Sequence, residues 1–143
     1  MGMYSAIVVG TDGSETAAEA VRHAAELAKR FGATLHLVSA YRQAALDTRG
    51  LPPEVSDAVR SSSKVESLLA DLSSRLRPSG IAVSTHAHKG DPAEAIIDVA
   101  TNEKADLIVI GNKGMRGARR VLGSVPNTVA HQAPCAVLIV HTR

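Results

Sequence analysis

Five short β-prone runs, each separated from the next by a longer helical pattern, leave this chain few folds to adopt. The runs are Ala6–Gly10, Thr34–Ala40, Ile81–His86, Leu107–Ile110 and Ala136–Val140. Between the first two, Ala17, Val21, Ala24 and Ala28 recur at helical spacing, and Gly32 stands where a C-terminal cap belongs. Between the second and third, Val65, Leu68, Leu69, Leu72 and Leu76 mark one apolar face, ended by Pro78 and Gly80. Asp91-Pro92-Ala93-Glu94 opens a third helix with an N-cap, a proline in the first turn and an acid behind it. The inner face of that helix is predicted to be Ala93, Ile96, Ile97 and Ala100, and a last short helix follows Ser124 and stops before Pro134. Strand, helix and strand repeated in this way call for an α/β fold, a doubly wound parallel sheet with helices on both faces. Leu107–Ile110 is apolar at every position, as a strand covered on both sides should be. One domain spanning residues 1–143 is expected, since neither an internal repeat nor a linker interrupts the pattern.

Composition removes several classes of function. The only aromatic rings of the Phe, Tyr and Trp type are Tyr4, Phe31 and Tyr41, too few for a base-stacking platform or for flanking a flavin. The formal charge of +2 gives no ground for a nucleic-acid partner. A single cysteine, Cys135, forbids an internal disulfide and points to a reducing compartment; between Pro134 and an apolar strand it reads as a packed small residue. The opening residues Met1 to Gly10 lack the basic flank of a signal peptide, and no apolar run reaches the ~20 residues of a membrane span. Ala6 stands where a myristoylation signal wants Ser or Thr. The expected location is cytoplasmic, with no membrane association.

Ligand chemistry is expected past the carboxyl ends of the strands, where doubly wound sheets bind their ligands. Two segments lie there. Gly10-Thr11-Asp12-Gly13-Ser14 follows the first strand, with Ser14 as a helix N-cap and Asp12 as a carboxylate able to accept hydrogen bonds from a ligand. Gly111-Asn112-Lys113-Gly114 follows the fourth, and Gly123-Ser124 comes after eight more residues, Met115 to Leu122. Glycines allow close backbone approach, and the N–H groups of a turn and of a helix start attract anions. Lys113, Arg116, Arg119 and Arg120 add positive charge beside that cradle, which suits a polyphosphate. Neither the Walker spacing nor the G-x-G-x-x-G dinucleotide fingerprint is present. The irregular stretch Arg42–Ser63 begins past the second strand and is read either as a lid over the crevice or as a surface insertion without a role.

The combination resembles the universal stress protein family. The matching pieces are Gly10-Thr11-Asp12-Gly13-Ser14, the strand Asp106–Gly111, the glycine loop, Gly123-Ser124-Val125 and the closing Pro134–Val140. The resemblance covers nearly the whole chain. It implies a five-stranded parallel sheet of order 3-2-1-4-5, the three-layer arrangement of the adenine nucleotide alpha hydrolase-like fold, and a homodimer formed through Ala136–Val140. It further implies an adenine nucleotide ligand: ATP, with or without Mg2+, or AMP or cyclic AMP. Carried over by position, Asp12 would hold the adenine edge beside Gly10 and Thr11, and the backbone of Ala40 would also meet the base. Gly111, Gly114, Gly123 and Ser124 would enclose ribose and phosphates, with Asn112 and Val125 adjoining. Nucleotide-binding members of the family usually place nine residues, not eight, between the second glycine and the Gly-Ser pair, and often carry proline where this chain has Gly10.

No Ser-His-Asp, paired-carboxylate or Cys-His arrangement can be assigned by spacing, so the reading is a regulator or sensor with at most slow ATP hydrolysis. Two alternatives stand beside it: a ligand-free interaction module with a relic glycine loop, and an ATP-cleaving enzyme of the related hydrolase group. His86 and His88 fall two apart on a strand and share a face, but without partners in sequence they assign no metal site.

Overall fold

The computed structural model describes residues 3–41, 62–112 and 123–142. Five parallel strands form one sheet: β1 (Ala6–Gly10), β2 (Thr34–Tyr41), β3 (Ala82–Lys89), β4 (Leu107–Gly111) and β5 (Ala136–Val140). Their spatial order is 3-2-1-4-5, as expected. The helices are α1 (Glu15–Phe31), α2 (Ser62–Leu76), α3 (Pro92–Asn102) and α4 (Ser124–Gln132). Ser62 and Ser63 already belong to α2, so the irregular stretch ends earlier than its composition suggested. The remainder of that segment, residues 42–61, lies outside the described residues, and with it the expectation of a lid.

Alternation along the strands sorts the core into two layers. Ile7 and Val9 of β1, Leu35 and Leu37 of β2 and Val109 of β4 point to α1 and α2, meeting Ala20, Val21, Ala24, Val65 and Leu69. Val8, Val38, Ile108 and Ile110 point the other way, to Ala93, Ile96, Val99 and Ala100 of α3 and Val129 of α4. Each fully buried Val, Leu or Ile side chain contributes roughly 1.5–3 kcal/mol of transfer free energy. Alanines dominate the inner face of α1, which lets that helix lie close on the central strands. Two of the three rings are used away from any crevice: Tyr4 and Phe31 meet edge to face, 5.2 Å between centroids.

Helix ends follow the local chemistry. Ser14 caps α1 by accepting the Ala17 N–H at 3.2 Å, and Gly32 closes the helix at φ 66°. Asp91 caps α3 by accepting the N–H groups of Ala93 and Glu94. The inner face of α3 is broader than its spacing suggested. Ala95 and Val99 are buried along with Ala93, Ile96 and Ala100, while Ile97 is only partly covered, because α3 packs on α4 as well as on the sheet.

At the opposite edge of the sheet from the helix starts, Asp106 ties β4 to the beginning of β1. Its carboxylate accepts the Ser5 and Ala6 N–H groups and the Ser5 hydroxyl at 3.0–3.1 Å. Burial alone would raise its pKa, but these hydrogen bonds outweigh it and hold the group below its usual value. The sign is that of a depressed carboxylate: the stability it lends is present above about pH 4 and is lost as pH falls through the lowered value. Asp106→Asn is therefore expected to cost about 1 kcal/mol at neutral pH and to flatten the acid limb of the stability curve, as measured by urea unfolding between pH 3 and 7.

Candidate functional site

A crevice opens past the carboxyl ends of β1 and β4, between which the chain reverses the direction in which it builds the sheet. The segment after β1 enters it first. The Thr11 N–H donates to the Val38 carbonyl at 2.9 Å, carrying the chain across the end of β2. The Thr11 hydroxyl then accepts the Gly13 N–H at 3.1 Å, and one Asp12 oxygen accepts the Ser14 N–H at 2.9 Å. Asp12 is thus partly engaged in turn chemistry, yet it remains exposed at the crevice wall.

Six of the residues expected at the site line this one crevice: Gly10, Thr11, Asp12, Ala40, Gly111 and Val125. Two segments nearly a hundred residues apart in sequence therefore meet. Gly114 falls in residues 113–122, outside the described residues, as do Lys113, Arg116, Arg119 and Arg120. Asn112, Gly123 and Ser124 frame the site without lining it. The Asn112 carbonyl accepts the Gly123 N–H at 3.1 Å, closing the base of the glycine loop. The Asn112 side chain faces β5 instead, where its Oδ1 accepts both the N–H and the hydroxyl of buried Thr142 at 2.8 Å each.

Sequence reasoning missed several contributors. Ser39, Pro92, Ile96, Thr16 and Pro126 also line the crevice. One signal was available for Pro92 and Pro126. In a parallel sheet every helix starts at the strands' carboxyl edge, so the first turns of α3 and α4 had to lie near the ligand position. Ile96 is set by packing: it sits over Gly10, where an added Cβ would meet its Cδ1 at 2.5 Å. That contact couples position 10 to Ile96: any side chain there obliges the isoleucine to move.

The electrostatics of the site come from its helix starts. α1 and α3 carry side-chain caps, whereas Gly123 precedes α4 with no side-chain cap. Pro126 has no N–H and the Asn127 N–H is bonded to the Gly123 carbonyl, so the Ser124 and Val125 amides are left as outward donors among the described residues. Such a helix start favours an anion. Among the described residues Asp12 is the one ionisable side chain lining the crevice. What this arrangement can do is bind a molecule with hydrogen-bond donors at one end and negative charge at the other.

Known proteins resemble this chain along nearly its whole length. Residues 3–141 match the profile of the universal stress protein family. Universal stress protein Rv1636 of Mycobacterium tuberculosis is 38% identical over 146 residues, covering 99% of each chain. Among solved structures, a universal stress protein in complex with cAMP is 33% identical, with a TM-score of 0.76 over 98% of this chain and 99% of its own. Universal stress protein UspA from Lactobacillus plantarum is 28% identical, with a TM-score of 0.78 over the same shares.

Proposed function

The chain belongs to the universal stress protein family, and on that premise we propose that it binds ATP or a related adenine nucleotide and acts as a nucleotide-linked regulator or sensor. The observation that carries this reading is the meeting, in one crevice, of the Asp12 carboxylate with the uncapped start of α4. The Asp12 oxygen not held by Ser14 accepts a hydrogen bond from the adenine amino group, with Thr11 and the Ala40 backbone alongside. The amides of Ser124 and Val125 face the phosphates, and Gly111 and Gly114 let the backbone come close to the ribose. Mg2+ arrives, where present, on the phosphates themselves. The cAMP-bound relative supports an adenine ligand in this fold.

The response is one of binding rather than turnover. With Asp12 as the single ionisable group lining the described crevice, and one of its oxygens already in a turn, a general base for activating water is lacking there. ATP hydrolysis is accordingly at most slow, and nucleotide acts by favouring one arrangement of the site over another. No helix among the described residues is long and apolar enough to cross a membrane; the protein works in the cytoplasm. A homodimer forms through β5, an edge strand that leaves Leu138 and Ile139 more than a third exposed and its outer backbone groups unpaired within the sheet.

Native mass spectrometry of the protein as purified, followed by thermal unfolding with added ATP, tests this reading. Dimers carrying one nucleotide per chain are expected, with stabilisation of about 2.7 kcal/mol at a hundredfold excess over Kd. Bare monomers that show no thermal shift in millimolar ATP would instead favour the relic-loop alternative.

A further inference from the structure

Away from the crevice, three side chains of metal-ligating type converge from three elements on the face of the sheet covered by α3. His36 lies in β2. His86 lies in β3, paired with Val38, so the two histidines are diagonal neighbours on one face. Glu103 follows the last turn of α3, its backbone held by an N–H bond to the Val99 carbonyl at 2.8 Å. One ligand atom from each lies within 4.8 Å of the other two. His36 is buried, His86 half-buried and Glu103 exposed, so the cluster opens to solvent on the carboxylate side.

We propose that His36, His86 and Glu103 form a binding site for a divalent transition metal of the zinc class, distinct from the nucleotide crevice. Two imidazoles and a carboxylate are a three-ligand zinc set that leaves a fourth position for water. The contact between the rings already has the required aim: His36 Nδ1 and His86 Nε2 face each other at 3.0 Å. Without metal, one nitrogen donates its proton to the other. With metal, that proton leaves, both lone pairs turn to the ion, and the nitrogens open to about 3.3 Å, the spacing set by two Zn–N bonds of about 2.0–2.1 Å in a tetrahedron. Burial disfavours the charged form of both rings, which keeps them in the neutral state that ligates. A Glu103 carboxylate oxygen already lies within 4.8 Å of both imidazole nitrogens, on the solvent side of the cluster.

Neighbouring groups do not compete. His88, on the same face of β3, is engaged with Asp98 of α3 at 3.3 Å and with the Lys89 carbonyl at 2.8 Å. Cys135 is in another strand connection and is not part of the cluster. The site also stands apart from the nucleotide. His36 precedes Ala40 by four residues along β2, a separation of about 13 Å at ~3.3 Å per residue. A bound ion would fasten the end of α3 to the paired strands β2 and β3, adding a side-chain clip to the backbone ladder that already joins the two strands.

The test uses the full chain, stripped with a chelator and titrated with Zn2+ by calorimetry and with Co2+ by visible absorption, without nucleotide. One ion per chain is expected, with a tetrahedral Co2+ spectrum and a rise in melting temperature. Affinity should fall at least about tenfold in Glu103→Gln and in His86→Gln. His23→Gln, which alters an exposed histidine of α1, should bind like the wild type. Glu103 is exposed at a helix end, so its variant folds and decides the matter even if the His86 variant does not. Failure of the wild-type chain to take up the ion, or equal affinity in the wild type and Glu103→Gln, overturns the proposal.

Discussion

Gly10→Val is expected to abolish the ATP-dependent thermal shift and to destabilise the unliganded chain by about 1–3 kcal/mol, the range for forcing extra methyl groups into a packed core. Even a bare Cβ at this position would lie 2.5 Å from Ile96 Cδ1 and 3.1 Å from its Cγ1. Ile96 is 4% exposed and is packed with Val8, Val38 and Ile108, so the core offers it no room. The open direction left to it is the crevice it already lines, and a displaced Ile96 fills the space proposed for the base. Gly10→Ala should give an intermediate result, because the terminal methyl of Ile96 can yield where a branched neighbour cannot be avoided. Gly111 makes the contrast plain. A Cβ there meets Thr142 Cγ2 at 3.6 Å and the Thr16 carbonyl oxygen at 3.7 Å, ordinary contacts that demand nothing of the packing. Urea unfolding with and without ATP separates the two effects, and a valine variant with a full ATP response would contradict this account of the crevice floor.

The second large effect is predicted at Asn112. Its Oδ1 satisfies both donors of Thr142, a residue 2% exposed, so Asn112→Ala leaves a buried N–H and a buried hydroxyl without their acceptor. Leaving such a donor unsatisfied costs about 1–3 kcal/mol, and the pair is expected to cost roughly 2–4 kcal/mol in denaturant unfolding. The same residue anchors both ends of the glycine loop through its backbone, donating to the Val140 carbonyl at 2.9 Å and accepting from Gly123 at 3.1 Å. Losing the side-chain clamp should therefore weaken nucleotide binding as well. Asn112→Asp keeps an acceptor oxygen in place and should recover most of the stability. An alanine variant as stable as the wild type would mean that Thr142 finds other partners.

The architecture was legible because parallel strands buried on both faces carry an unmistakable apolar density, and because glycine and proline punctuate the helix ends. Gly32, Asp91 and Ser14 take the capping roles their residue types suggest. The resemblance supplied the strand order, and the sheet has it. The third strand ends three residues later than its apolar content implied, since His86, Ala87, His88 and Lys89 pair through backbone groups with Val38 to Tyr41. Register with an interior neighbour, rather than hydrophobicity, sets that end. The resemblance placed Asn112 beside the ligand; its side chain locks the end of β5, a partner thirty residues away that spacing cannot reveal. His86 seemed unpartnered for the same reason. His36 is fifty residues away in sequence and becomes its neighbour only when β2 and β3 pair.

The most direct measurement of the central claim is an amide NMR titration of the 15N-labelled chain with ATP. Resonances of Thr11 and Asp12, of Ser39 and Ala40, and of Ser124 and Val125 should all move, and all should saturate with one dissociation constant, because a single molecule touches both ends of the crevice. Shifts confined to one of these groups, or none at millimolar ATP, would contradict it.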